Sequence, residues 1–130
     1  MTQNTGSRKR RQGQSTLEFA LALLVLIPLL LGAFDLGRAV YIQSVVAAAA
    51  QEGARYGIVH RGDTSGIQGA ARSQAAGLDV GSVNVATTYP NATSVEVTVS
   101  YVFSAVTPLI GNMIGNGGQI TLSNTARMGL

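Results

Sequence analysis

Between Phe19 and Phe34 the chain reads FALALLVLIPLLLGAF, sixteen consecutive residues without a charge. As a helix this run is about 24 Å long, against about 30 Å for the hydrocarbon core of a bilayer. Widening it to Leu17–Tyr41 gives about 25 residues and about 37 Å, with charged groups near both ends. Pro28 and Gly32 weaken such a helix in water, but membrane-spanning helices accommodate both. The rest of the 130-residue chain is too small to enclose so apolar a rod, which argues against a buried core helix. The run therefore predicts a single spanning helix, and the length leaves room for one small domain beyond it.

Charge supports that reading. Only 12% of the residues are charged, against about 25% in soluble domains. The net charge of +3 comes from Arg8, Lys9, Arg10 and Arg11, which lie together ahead of the apolar run. The remaining charges are five Arg against six acids, so no domain here carries the basic face that nucleic acids need, and nucleic acid is excluded as a partner. Basic residues flanking a span are retained on the cytoplasmic side. The amino end is thus expected inside the cytoplasmic membrane and the carboxyl part outside, in a single pass. With no cysteine in the chain, disulfides, thiolate metal sites and a cysteine nucleophile are excluded.

Past Asp35 the segment LGRAVYIQSVVAAAAQEGARYG is rich in Ala and free of Pro, and its polar positions are spaced for one amphipathic face. Asp35 with Arg38 and Glu52 with Arg55 form i, i+3 pairs. One helix is expected from about Gln14 to Tyr56, about 65 Å long, with Gly57 as its stop. Residues 58–66 read as a loop and Ile67 to Leu78 as a short helix. Val83, Val85, Thr87 and Tyr89 alternate with polar or small residues. In TSVEVTVSYVF, Val95, Val97, Val99, Tyr101 and Phe103 share one face. Pro90, Asn91 and Ala92 join these two strands into an antiparallel hairpin. A third strand follows Gly117 and Gly118, with Ile120, Leu122 and Met128 on the face that carries Asn124 and Ala126. TPLIGNMIGNGG between strands two and three reads as a loop or broken helical turn. A three-stranded sheet must cover its apolar face, and the Ala-rich half of the long helix is the expected partner. The fold class is α+β: a basic leader (1–13), a long helix spanning the membrane in its first half (14–57) and a small extracytoplasmic α+β domain (58–130).

One motif combines these features. In RKRRQGQSTLEFALALL, a short basic leader ends at Gly13, and Glu18 stands five residues on, at the lip of the apolar helix. Gly-x-x-x-x-Glu alone occurs often by chance; its conjunction with a basic leader and an apolar span is far rarer. A carboxylate costs about 2.5–3.5 kcal/mol at the centre of a spanning helix and less near its end, so Glu18 calls for a partner.

Here the chain resembles type IV pilins and pseudopilins, and in particular the TadE-like family of tight-adherence (Flp-type) pilus systems. The resemblance rests on GQSTLEFAL (13–21), AAAAQEGARYG (47–57) and, less specifically, the strand-rich tail ITLSNTARM (120–128). It implies a pilin-like layout, cleavage by a membrane-embedded prepilin peptidase between Gly13 and Gln14, and Glu18 as residue five of the mature chain. It further implies that Glu18 meets the amino terminus of a neighbouring subunit and sets the register of assembly. The implied partners are the prepilin peptidase, other pilin or pseudopilin subunits through the helix, and the membrane platform of the pilus machine. Pilins usually begin the mature chain with an apolar or aromatic residue; Gln14 departs from this and points to a minor pilin or pseudopilin.

Other signals carry less. His60, the one histidine, sits in an expected loop and cannot alone build a zinc site. No pair of acids is placed for acid–base work. The glycines from Gly111 to Gly118 lack the Lys-Ser/Thr ending of a phosphate loop. Asn91-Ala92-Thr93 matches a glycosylation acceptor but reads as a turn. No catalytic, metal or cofactor residues are assigned, and an enzyme is not expected. The rival reading is an ordinary secretory signal peptide cut near Gly32 and Ala33, releasing a soluble exported binding domain.

Overall fold

The computed structural model describes residues 6–107, 111–113 and 116–129. The first five residues of the expected leader, and positions 108–110 and 114–115 of the expected loop, lie outside the described residues. Helix α1 runs Gly6–Val59 with Pro28 inside it, followed by helix α2 (Thr64–Gln74) and a 3-10 turn (Val80–Ser82). Three strands complete the fold: β1 (Val83–Asn91), β2 (Ser94–Ser104) and β3 (Gln119–Gly129). They form one antiparallel sheet in the order β1-β2-β3. The expected α+β architecture, a long apolar amino-terminal helix with a small antiparallel sheet, is the one observed.

The period-2 valines explain the sheet. Val83 and Val85 of β1 and Val95, Val97, Val99 and Phe103 of β2 are all buried on one face, as alternation on a pleated strand requires. Against them α1 lays Ile42, Val46, Ala49, Ala50 and Ala54, likewise buried. Small side chains let helix and sheet backbones come close. Ile120, Leu122, Ala126 and Met128 of β3 pack around this core. The hairpin turns where Asn91 accepts hydrogen bonds from the amide and hydroxyl of Thr93, both at 3.2 Å, and from the Ser94 hydroxyl at 2.6 Å. The acceptor triplet is an Asx turn.

Several boundaries differ from the sequence reading. Helix α1 starts at Gly6, not Gln14; residues 6–13 contain no proline, and extending an existing helix costs far less than nucleating one. At its other end α1 passes through Gly57, the expected stop. A Cβ there would lie 3.0 Å from Ile67 Cδ1 and 3.1 Å from Val95 Cγ2. One at Gly53 would lie 3.1 Å from Val97 Cγ1 and 3.3 Å from Ala71 Cβ. One turn apart on the same face, these glycines are where α2 and β2 approach α1, so Gly57 serves close packing and not termination. The expected loop 58–66 shrinks to His60–Asp63, because α2 begins at Thr64 and not at Ile67.

That early start has a local cause. Asp63 caps α2, its Oδ1 accepting from the Gly66 amide at 2.9 Å and the Ser65 hydroxyl at 2.7 Å. The Tyr56 hydroxyl of α1 donates to Oδ2 at 3.1 Å, and the Tyr56 ring stacks on His60 with centroids 4.4 Å apart. The Gly66 amide first, then Ser65 and Tyr56, hold the Asp63 carboxyl below its ordinary value of 3.8, because each bond favours the charged form. A lowered folded-state value stabilises the fold above the ordinary value and is lost as pH falls through the folded one. Acidification from about pH 6 to about pH 2 is therefore expected to fray the first turn of α2, read from amide chemical shifts of Ser65–Ala71. Asp63→Asn keeps an acceptor at the cap and should remove the pH dependence; an unchanged titration in that variant contradicts the assignment.

Candidate functional site

The amino-terminal half of α1 carries the residues that the sequence singles out. Gly13, Gln14 and Glu18 all lie on the continuous helix and are exposed. Gln14 and Glu18 are four residues apart, so they sit on one face about one turn apart. Nothing lies within 4 Å of a Cβ built on Gly13 outside the helix's own backbone. Glycine also makes local unwinding there inexpensive, about 0.5–1 kcal/mol easier than at alanine. The fold thus brings the three residues onto one short, uncovered stretch just before the apolar run.

Beyond Glu18 the helix is bare. Leu24 and Phe34 are 71% and 69% exposed, and Leu17, Phe19, Leu21, Val25, Leu26, Ile27, Leu29, Leu30 and Leu31 are exposed with them. The segment is long and apolar enough to cross a membrane, and none of its most apolar window is buried within the protein. Each large apolar side chain left in water forgoes about 1.5–3 kcal/mol. So many together exceed the roughly 5–15 kcal/mol that holds a domain folded. The helix therefore belongs in lipid or against other helices.

Where the bare run ends, Asp35 is buried. Its carboxylate accepts from the Thr107 hydroxyl at 2.6 Å, the Thr107 amide at 2.8 Å and the Val106 amide at 3.2 Å. The expected i, i+3 partner, Arg38, instead lies over the Phe103 ring, 5.0 Å from its centroid. Sequence reasoning missed this clasp because Thr107 is 72 positions away. The available signal was an acid at the exact end of an uncharged run, where an unpartnered carboxylate is costly. Higher up, Gln43 donates to the Ser123 carbonyl at 3.3 Å, tying β3 to the same helix.

The opposite end of the domain is polar. Arg61 donates to the carbonyls of Asn91 at 3.2 Å and Ser94 at 3.5 Å and lies over the Tyr89 ring. Among the described residues no three of His, Asp and Glu gather to hold a metal. A recess of about 380 Å³, open to solvent, lies between Gln51, Glu52, Arg55, Gln74 and Met128.

Residues 13–55 match the TadE-like protein family. Comparison with curated proteins and with solved structures gives no significant match. The matched segment begins at Gly13, includes Gln14, Glu18 and Asp35, and ends on α1 before α2 and the sheet. The similarity covers 43 of the chain's 130 residues, all of them on α1.

Proposed function

We propose that this TadE-like protein is a pseudopilin or minor pilin of a tight-adherence pilus or related secretion apparatus, processed by a prepilin peptidase and joined to its neighbours through α1. The observation that carries the reading is the continuity of α1. One helix supplies both the bare apolar rod and, through Ile42, Val46, Ala49, Ala50 and Ala54, the wall of the domain core. Such a helix transmits any anchoring or bundling of its lower half directly to the folded head.

In this reading a peptidase cuts between Gly13 and Gln14 and removes the basic leader. The new amino group then stands one turn from Glu18, and the same charge on a neighbour can pair with the Glu18 carboxylate. The basic leader sets the orientation, amino end inside and domain outside. The membrane platform of the machine would receive the anchored subunit. The role is structural, not catalytic.

The signal-peptide reading is disfavoured by the position of Asp35. A cut near Ala33 would leave the Asp35–Thr107 clasp at the extreme end of the chain. Intact mass of the protein recovered from membranes, with and without an active prepilin peptidase, separates the two. Loss of residues 1–13 that depends on the peptidase is expected. Loss of a segment reaching past Ala33, with a soluble product, would overturn the proposal.

A further inference from the structure

Both helices lie on one face of the sheet, where Ile67 and Ala71 of α2 and Gly53 and Gly57 of α1 meet Val95 and Val97 of β2. The alternate residues of each strand form the other face, and among the described residues no helix covers it. There Thr98 stands beside Thr125, their hydroxyls bonded at 2.8 Å, and Glu96 stands beside Arg127. Glu96 and Arg127 are the only charges that the three strands place on this face. On the opposite side of the domain α1 shows its outer surface. Ala48, Gln51, Glu52 and Arg55 share that side of the helix, while Val46, Ala49, Gly53 and Gly57 are buried on the other. The outer surface is concave: with Gln74 of α2 and Met128 of β3 it walls the recess of about 380 Å³.

Each of the two surfaces thus presents one acid and one arginine, and both do so at the same height. A Cβ on Gly53 would lie 3.1 Å from Val97 Cγ1, and one on Gly57 3.1 Å from Val95 Cγ2. Glu96, between these two valines, therefore stands level with Arg55. None of the four charges is satisfied within the copy. Among the described residues Glu52 and Arg55 form no ion pair despite their i, i+3 spacing, and neither do Glu96 and Arg127 despite their register.

From this we infer that a second copy of the chain docks its sheet face on the outer face of α1, with Arg127 against Glu52 and Glu96 against Arg55. Copies whose α1 helices run parallel stand at one height, so the sheet of one meets the helix of the next with opposite charges opposed. The two faces lie on opposite sides of one domain, which makes the contact head-to-tail and repeatable along a row of copies. Exposed ion pairs add little affinity. Copies already held side by side meet at high effective concentration, and opposed charges then select orientation and register. The inference rests on the proposed joining of subunits through α1.

The chain has no cysteine, so paired cysteine variants report the contact. Full-length Gln51→Cys and Thr125→Cys copies are mixed in phosphatidylcholine–phosphatidylglycerol vesicles and oxidised. Thr125 lies two residues from Arg127 on the sheet face, and Gln51 one turn from Arg55 on α1, so the two positions face each other in the docked pair. The mixed dimer is expected to exceed either symmetric dimer severalfold. Arg127→Glu in the Thr125→Cys copy should lower it severalfold, and Glu52→Arg in the Gln51→Cys copy should then restore it. An excess of the dimer between two Thr125→Cys copies means that sheets meet face to face, which overturns the inference. Failure of the second charge reversal to restore the mixed dimer also overturns it. Association of the helices is read separately, from energy transfer between Leu24→Cys copies carrying donor and acceptor dyes. Transfer without the mixed dimer sinks the inference and leaves the joining through α1; loss of both sinks both.

Discussion

Glu18→Gln is expected to leave the protein in the membrane fraction at its normal level while its incorporation into an assembled fibre falls about ten- to a hundredfold. The substitution removes a charge from the edge of the apolar run and so makes insertion easier, since a buried carboxylate costs about 2.5–3.5 kcal/mol at the span centre. Assembly loses what insertion gains. A hydrogen bond to a charged group is worth about 1.5–3 kcal/mol, and each 1.4 kcal/mol is a factor of about ten in association. The exposed position of Glu18, on the same face as Gln14 and away from the folded head, means that the head should not sense the change. Membrane fractionation and the recovered fibre, probed side by side, give the two readouts. Glu18→Asp, with a shorter reach, should fall between wild type and Glu18→Gln. Fibres that contain Glu18→Gln at the wild-type level would leave Glu18 as no more than a marker of the membrane edge.

The sequence displayed the elements whose cause is local. An uncharged run of this length makes an apolar helix, and alternating valines make a strand with one buried face, so the long helix, the hairpin and β3 were legible from pattern alone. The misread positions are those whose role depends on a distant partner. Gly57 signals a helix end by composition, but its lack of a side chain is used by Ile67 and Val95, ten and thirty-eight positions on. Asp35 looked like half of an i, i+3 pair, and its partner Thr107 lies just past the end of β2, 72 positions on. Asp63 offered a readable cue, since Asp followed three residues later by a glycine amide is a common cap. At the candidate site the motif Gly13–Glu18 was visible in full. Its proposed counterpart, the amino terminus of another subunit, is in no single chain, and neither sequence nor fold of one copy can supply it.

The packing around Gly57 gives the largest stability effect. Ile67 is completely buried and wedges α2 against α1 at the two glycines. Ile67→Ala is expected to cost about 2–5 kcal/mol, combining lost burial with the cavity left behind. A domain of this size has only about 5–15 kcal/mol in all, so much of its stability goes. Gly57→Ala alone sets two effects against each other. It removes a helix-interior glycine, worth about 0.5–1 kcal/mol, but places a methyl 3.0 Å from Ile67 Cδ1 and 3.1 Å from Val95 Cγ2. In the Ile67→Ala background the first clash is gone and the new methyl lines the cavity. The two substitutions should therefore couple, with the double variant more stable than the sum of the single effects by about 0.5–3 kcal/mol, as for residues in direct contact. Native-state hydrogen exchange of α2 and β2 amides in the full chain, held in detergent micelles, measures each corner of the cycle. Simple additivity would mean that Ile67 and Gly57 do not share the packing seen here, and that α2 is held to α1 by the Asp63–Tyr56 bond and its neighbours instead.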